Sequence, residues 1–290
     1  MEKNSKAVSN YLSLIKFSHT IFAMPFAMIG FFLAVRFSDK QLEWKLFFLV
    51  VLCMVFARSA AMAFNRYIDR EIDKTNSRTA TREIPSGIIK SGSALAFVTI
   101  NSFLFIVTAF FINEICFYLS PVALLVVLGY SYTKRFTFLC HLILGLGLSL
   151  APIGAYLAVT GKFDVIPMFY SFAVLFWVSG FDIIYALQDE DFDRSQKLKS
   201  IPVLLGKKNA LILSNIFHLI TAALIIFSGF YAGFGWLYWL GAAIFTVLLI
   251  YQHTLVKPND LSKVNVAFFT TNGLASVVFS IFFILELYIK

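Results

Sequence analysis

The sequence predicts an all-α polytopic membrane protein with nine transmembrane helices. Of its 290 residues, 59% are hydrophobic and only 14% are charged, and the apolar residues occur in long blocks. A block of about 20 apolar residues crosses a bilayer as a helix. Soluble domains carry about 25% charged residues, so the composition excludes an ordinary soluble globule and a disordered chain. Because little sequence lies outside the blocks, residues 1–290 are expected to form a single transmembrane domain.

The first four apolar segments are separated by loops of very different length. Segment one covers 11–35, and Pro25 is expected to kink it. Segment two covers 44–66 and leads into the longest basic loop of the chain. Segments three and four cover 93–112 and 115–133, with a very short connection between them.

The remaining five segments follow at short intervals. They cover 139–160, 164–187, 209–231, 234–256 and 264–288. Several are interrupted by Gly, Pro or a single polar residue, which transmembrane helices tolerate. Each is long enough to span the hydrocarbon layer, so all five are predicted to cross the membrane.

Lys and Arg residues are distributed unevenly between the two ends of these segments. The N-terminus and the loops after even-numbered segments hold 17 of them, whereas the opposite side holds five. The positive-inside rule therefore places the N-terminus and these loops in the cytoplasm, in a bacterial-type inner membrane. The net charge of +8 follows mostly from this asymmetry, so no nucleic-acid partner is expected.

Two of the cytoplasmic loops carry the same acidic pattern, Asp-x-x-x-Asp. Asp69 and Asp73 follow segment two, and Asp189 and Asp193 follow segment six, so each Asp lies 120 residues from its counterpart. Basic residues, a Pro and a Gly come after both pairs. We interpret the pattern as a degenerate internal repeat that presents equivalent sites across a central cavity. The alternative is a pair of solvated loops with ordinary salt bridges.

The spacing of four places two carboxylates on one face of a helix, where they repel each other unless a cation bridges them. Asn65 adds a neutral oxygen one turn before Asp69. All-oxygen ligands suit Mg²⁺, which usually completes its shell with water and substrate phosphates. Arg and Lys would bind the remaining phosphate charge, so the expected ligand is a diphosphate with a lipid tail.

Asp182 is expected to be functional for a different reason. It lies one to two turns inside segment six, where an ionisable group is expensive. The alternative is a structural Asp182 that pairs with a neighbouring helix.

With these motifs the sequence resembles the UbiA superfamily of intramembrane aromatic prenyltransferases. The family signature Asn-Asp-x-x-Asp-x-x-x-Asp is matched at Asn65, Asp69 and Asp73. The signatures Asp-x-x-Tyr-Ala-x-x-Asp-x-x-x-Asp and Tyr-x-x-x-Lys are matched at Asp182, Tyr185, Ala186, Asp189, Asp193, Tyr130 and Lys134. The resemblance implies a UbiA-type fold, in which nine transmembrane helices surround a cavity that opens laterally to lipid.

The resemblance also implies roles for the matching residues. Mg²⁺ and the diphosphate would be held by Asn65, Asp69, Asp73, Asp189 and Asp193. Substrate phosphate or an acceptor carboxylate would be bound by Arg66, Arg78, Arg82, Tyr130, Lys134 and Lys199. The catalytic residues would be Asp182, Tyr185, Asp69 and Asp189, with Asp182 and Tyr185 near the acceptor ring.

The implied reaction is Mg²⁺-dependent transfer of a polyprenyl group from polyprenyl diphosphate to the ring carbon of a 4-hydroxybenzoate-type aromatic acid in quinone biosynthesis. The sequence departs from the family pattern in two places. Arg66 stands where Asp is frequent, and Cys140 and His141 stand where many 4-hydroxybenzoate enzymes have Pro-Gln. In addition, the segment from Lys263 to Asn272 resembles a 4-hydroxybenzoate polyprenyltransferase-like branch of the superfamily. Some members of that branch resemble prenyltransferases for 1,4-dihydroxy-6-naphthoate, a menaquinone precursor, which is therefore an alternative acceptor.

Two further alternatives concern another class of protein and other branches of the same superfamily. A membrane transporter is disfavoured, because the acidic residues cluster at one face of the membrane and do not cross its midplane. Within the superfamily, the haem O and chlorophyll branches differ in their acceptor and stay open.

Overall fold

The computed structural model describes residues 9–16, 22–38 and 40–289. Their regular structure is helical. In chain order the longer helices are α1 (Met24–Phe37), α2 (Trp44–Ile68), α3 (Arg70–Thr75), α4 (Ser91–Phe110), α5 (Glu114–Thr133), α6 (Cys140–Thr160), α7 (Val165–Ala186), α8 (Glu190–Ser195), α9 (Ile201–Ala232), α10 (Trp236–Leu255) and α11 (Asn272–Ile289). A 3₁₀ turn (Leu187–Asp189) precedes α8, and a π-helical turn (Val266–Thr271) precedes α11.

Eight helices of the described chain are long and apolar enough to cross a membrane, and α1 is a shorter apolar helix. The helical prediction is therefore confirmed, although residues 17–21 of segment one lie outside the described residues. Large apolar side chains on these helices are exposed, including Phe103 at 65%, Leu125 at 73% and Phe230 at 74%. Surface of this kind is typical of contact with lipid, since soluble monomers rarely expose large continuous apolar patches.

Helix α9 begins eight residues before the predicted start of segment seven at 209. The Ser200 hydroxyl accepts a hydrogen bond from the amide of Val203 at 3.4 Å, and Pro202 occupies the first turn. Both features favour a helix start. Gly206 then interrupts the helix with φ 73°, a conformation that only Gly adopts readily. The predicted start was late because Lys207 and Lys208 break the apolar pattern without ending the helix.

The described residues form two compact units. The first contains 9–16 and 48–132, and the second contains 22–38, 40–47 and 133–289. The single transmembrane domain stays a prediction. In the first unit, the basic loop after α2 folds back, and its Ile84 and Ile89 pack with Ala63 of α2. This apolar anchor fixes the loop that carries the first acidic motif.

In the second unit, α7 packs closely against α6 and α9. Small residues allow the close approach: a Cβ added to Gly145 of α6 would lie 2.4 Å from the Leu175 carbonyl oxygen of α7. Helix α1 meets α6 in the same way, because a Cβ on Gly30 would lie 2.1 Å from the Pro152 oxygen. Contacts between small residues and backbone are the usual means of packing helices in membranes.

The π-helical turn is held by the Asn272 side chain. Its amide nitrogen donates to the carbonyls of Ala267 and Phe268, at 2.9 and 3.1 Å, and its oxygen accepts from the Trp177 indole at 2.9 Å. The widened turn brings the Phe268 ring to 4.3 Å from the Tyr185 ring, centroid to centroid. Tyr185, near the end of α7, therefore packs against an aromatic ring.

Candidate active site

The two acidic motifs share one local backbone. In each, a long helix ends, the first Asp stands in a bend, and a six-residue helix carries the second Asp. Asp69 has φ −90° and ψ 3°, and Asp189 has φ −103° and ψ 1°. The repeat predicted from the spacing thus has a matching conformation. Each Asp pair lies across a bend, however, and not on one continuous helix as the spacing predicted.

In the first motif, the second carboxylate is buried against a cation. The Asp73 side chain is 8% exposed, and its Oδ1 lies 2.6 Å from Nη1 of Arg82. Its Oδ2 is buried and has no hydrogen-bond partner among the described residues. Asp69 is half-buried and accepts a hydrogen bond from the Asn65 amide at 3.2 Å. The first motif thus contains two side-chain pairs, Asn65 with Asp69 and Asp73 with Arg82.

A second group of charges lies beside this motif. Arg66 is 4% exposed, and its Nε and Nη1 make no hydrogen bond within the described part of the chain. Asp73, Glu83 and Arg82 act on it electrostatically. Glu83 is also buried and accepts a hydrogen bond from the Ser13 hydroxyl. Arg66 therefore presents unused donors next to the carboxylate pair.

In the second motif, the second carboxylate is again buried against a cation. Asp193 is fully buried, and its Oδ1 lies 2.6 Å from Nζ of Lys134. The Lys134 carbonyl accepts the amide of Lys199 at 2.7 Å, and Lys199 Nζ donates to the Phe136 carbonyl at 3.1 Å. The structure thus brings Lys134, Asp193 and Lys199 together. The carboxylate of each salt bridge is buried, whereas Arg82 and Lys134 are 23% and 34% exposed. This burial argues against the solvated-loop alternative.

Asp182 is held by a residue that the sequence analysis assigned to no role. Its Oδ2 lies 2.6 Å from Nδ1 of His141, which is buried on α6. The other imidazole nitrogen, Nε2, accepts the backbone amide of Ile201 at 3.3 Å. The carboxylate remains the more accessible end of the pair, at 22% exposure against 4% for the imidazole.

The other predicted residues lie around these groups. Tyr185 and Asp189 are half-buried at the end of α7. Tyr130 acts electrostatically on both Arg58 and Arg66. Arg78 is exposed, and its backbone amide donates to the Asn76 side chain at 3.0 Å.

The described residues contain no group of three His, Cys, Asp or Glu side chains arranged to hold a metal. In each motif one carboxylate forms a salt bridge with a cation, Asp73 with Arg82 and Asp193 with Lys134. The donor set nevertheless suits a hard cation, because Asn65, Asp69 and Asp73 offer only oxygen. The unpartnered, buried Oδ2 of Asp73 supports the same conclusion. The metal ligands stay a prediction.

Two further residues were given no role from the sequence. Arg58 lies inside α2, and its Nε is buried with no hydrogen-bond partner in the described chain. A lone cation in an apolar segment was the available signal. His141 lies 41 residues before Asp182, and no local pattern could have linked the two.

Comparison with known proteins identifies the family. The UbiA prenyltransferase family matches residues 23–274, which include both acidic motifs. The chain belongs to the UbiA prenyltransferase family. A curated relative from Aliivibrio fischeri (strain ES114), a 4-hydroxybenzoate octaprenyltransferase, is 31% identical over 247 residues, 83% of this chain and 85% of the relative. One from Paraburkholderia phytofirmans with the same name is 30% identical over 242 residues.

Solved UbiA structures have the same fold. The apo structure of a UbiA homolog from Aeropyrum pernix K1 has a TM-score of 0.79 and 31% identity, covering 92% of this chain and 96% of that one. A UbiA homolog from Archaeoglobus fulgidus, solved with DMAPP and Mg²⁺, has a TM-score of 0.75 at 19% identity. This UbiA family member is therefore an integral membrane prenyltransferase.

Proposed function

We propose that this UbiA family member transfers a polyprenyl group from polyprenyl diphosphate to a ring carbon of 4-hydroxybenzoate, in quinone biosynthesis. The allylic C–O bond breaks with release of diphosphate, a C–C bond forms to the ring, and the ring carbon loses its proton. The observation that carries the proposal is the set of curated relatives of this name, which match more than four-fifths of the chain at about 30% identity. The buried acidic motifs support the diphosphate half of the reaction.

Diphosphate binding is assigned to the two motifs and their cations. Asn65, Asp69 and Asp73 in the first motif, with Asp189 and Asp193 in the second, would hold Mg²⁺. When bound, Mg²⁺ would neutralise the negative charge that develops on the leaving diphosphate. The cations Arg66, Arg78, Arg82, Lys134 and Lys199 bind phosphate oxygens. Arg66 fits this role well, because two of its buried nitrogens have no partner in the described chain and a desolvated guanidinium binds phosphate strongly.

Acceptor binding is assigned to residues deeper in the membrane. Arg58 carries a buried nitrogen without a described partner inside α2, and an aromatic carboxylate is the complementary anion. On α7, the Asp182 carboxylate accepts the proton of the acceptor hydroxyl, which makes the ring more nucleophilic. Tyr185 and Tyr130 offer π faces to the developing allylic cation. Both carboxylate and hydroxyl are groups that 4-hydroxybenzoate possesses.

A second acceptor is favoured by one observation. His141 stands where many 4-hydroxybenzoate enzymes have Gln, and it contacts Asp182 at 2.6 Å. The residue beside the proposed base therefore differs from that in those enzymes. The resemblance of residues 263–272 to a branch that includes naphthoate prenyltransferases makes 1,4-dihydroxy-6-naphthoate the second candidate, with the same reaction at the ring.

We also infer that the N-terminus and both motif loops lie on the cytoplasmic side of a bacterial-type inner membrane. The support is the distribution of Lys and Arg, with 17 on that side and five on the other. Water-soluble aromatic acid would then reach the motifs from the compartment where it is made.

The proposal is tested with membranes from a host that expresses the full chain. Mg²⁺ and a polyprenyl diphosphate are supplied with 4-hydroxybenzoate or with the naphthoate, and the prenylated ring is detected by mass spectrometry. We expect Mg²⁺-dependent product that Asp69→Asn and Asp189→Asn abolish. Asp164→Asn is the matched control, because Asp164 caps the opposite end of α7 by accepting the Ile166 amide and Asn caps equally well.

Each outcome of the assay decides between acceptors. Product from 4-hydroxybenzoate supports the proposal, and product from the naphthoate alone assigns the chain to the second candidate. Absence of product with both acids, while Asp164→Asn and wild type are equally well expressed, overturns both. Activity retained by Asp69→Asn removes that motif from the metal site.

A further inference from the structure

The hydrogen bonds of His141 define which of its nitrogens carries the proton. A backbone amide can only donate, so Nε2, which lies 3.3 Å from the Ile201 nitrogen, must be the unprotonated acceptor. Nδ1 then carries the hydrogen and donates it to Oδ2 of Asp182, at 2.6 Å. The imidazole is therefore the neutral tautomer with its hydrogen on Nδ1.

The pair is enclosed by groups from several elements. Ile201 is the first residue of α9, so Nε2 accepts the first backbone amide of that helix. The His141 residue is only 3% exposed, and its own α6 brings no carboxylate to it. Cys140 on α6 and Asp193 on α8 also act on it electrostatically. The ring thus links three elements: α6, α7 and the start of α9.

We propose that His141 is a positioning residue for the prenyl transfer. As a neutral, Nδ1-protonated imidazole it fixes the Asp182 carboxylate in one orientation and keeps it ionised, ready to accept the proton of the acceptor hydroxyl. This inference rests on the proposed function, since it assigns Asp182 the role of base. It explains why a buried His of α6 contacts a carboxylate of α7.

The same geometry predicts which substitutions preserve the function. Gln offers the same two functions. Its amide nitrogen can donate to Asp182, and its amide oxygen can accept the Ile201 amide. Leu fills a similar volume and reproduces neither contact. His141→Gln and His141→Leu are therefore a matched pair that separates hydrogen bonding from packing.

The first measurement concerns the proton and needs no turnover. The chain contains only four His, so ¹⁵N-histidine NMR of the full protein in liposomes gives a tractable spectrum, and His141→Gln assigns the signal. We expect the Nδ1-protonated neutral tautomer in wild type, with its shift altered in Asp182→Asn. An Nε2-protonated ring or an imidazolium overturns the proposal.

The second measurement is steady-state kinetics with the acceptor that wild type uses. We expect His141→Leu to lower kcat on the order of 10- to 100-fold, the usual effect of removing the partner that orients a reacting group. KM for the polyprenyl diphosphate should not change, and His141→Gln should retain most of kcat. In the Asp182→Asn background His141→Leu should have no further effect, because its role acts through Asp182.

The contradicting outcomes are distinct. An equal loss with and without Asp182, or a raised KM for the diphosphate at unchanged kcat, overturns the positioning role. His253→Gln is the control for loss of a partly buried His elsewhere, and we expect it to keep wild-type kcat. If wild type prenylates neither acid, the proposed function fails, while the NMR result still decides the state of His141.

Discussion

Asp73 and Asp193 are the most deeply buried carboxylates of the two motifs, and each lies 2.6 Å from a cation, Arg82 and Lys134 respectively. A buried carboxylate needs such a partner, because ionised groups lose their hydration inside a protein. The arrangement gives each of these carboxylates a cationic partner. It also sets cations beside the proposed metal ligands, where a diphosphate needs them.

Because Arg82 compensates the buried charge of Asp73, it is important for stability. We expect Arg82→Gln to lower the free energy of unfolding by about 3 kcal/mol, because removing one partner leaves a buried charge uncompensated. Asp73→Asn/Arg82→Gln should recover most of the loss, since the charge itself is then gone. Thermal unfolding of the detergent-solubilised protein measures both. Equal stability of Arg82→Gln and wild type would show that Asp73 has another partner.

At the scale of elements, neighbouring helices approach each other closely at glycine residues, which have no side chain. Gly30 of α1 faces the Pro152 carbonyl of α6, at a distance that no Cβ could occupy. Pro152 lies inside α6, and it is its backbone carbonyl that approaches α1. The two helices therefore fit only with Gly at position 30.

The fit predicts a contrast between two Gly→Ala substitutions. Gly30→Ala should destabilise the protein by about 2 kcal/mol, because the clash is with backbone and α1 must move away. Gly154→Ala on α6 meets open space and should be neutral or stabilising by about 0.5 kcal/mol, since Ala favours helix. Unfolding temperatures of both variants in one detergent provide the comparison. Equal behaviour would refute the close contact between α1 and α6.

The elements also show what could be predicted from sequence. Helix existence was predictable, because apolar length and missing charge are local properties. The salt bridge between Asp73 and Arg82 was not predicted, since the motif assigned Asp73 to the metal and Arg82 to the substrate. The partner of Asp182 was not predictable, because His141 approaches it only once α6 and α7 have packed. The π-helical turn was also missed, since Val266–Thr271 reads as ordinary apolar helix.

At the scale of the whole molecule, the charge distribution predicts how the chain lies in the membrane. Ser86 is exposed in the loop after α2, and Lys162 is exposed between α6 and α7. The positive-inside rule places these two residues on opposite sides. In a background without the three native Cys, we expect an impermeant maleimide to label Lys162→Cys in whole cells.

The partner variant completes the experiment. Ser86→Cys should be labelled only after the cytoplasmic side is opened, for example in inverted vesicles. Labelling of Ser86→Cys in intact cells would reverse the proposed orientation. Labelling of both from one side would contradict the membrane crossings between them.

The tight packing of α7 limits how this enzyme can diversify. Gly145 admits the α7 backbone on one flank, and a Cβ on Gly180 would lie 2.4 Å from the His218 ring on the other. The helix therefore tolerates neither rotation nor sliding. In a deep mutational scan, α7 should be among the least permissive segments, while outward positions such as Phe103 and Leu125 should accept most apolar residues. Lineages that adopt a new acceptor are thus expected to substitute the neighbours of α7, position 141 among them, and to leave the helix itself unaltered.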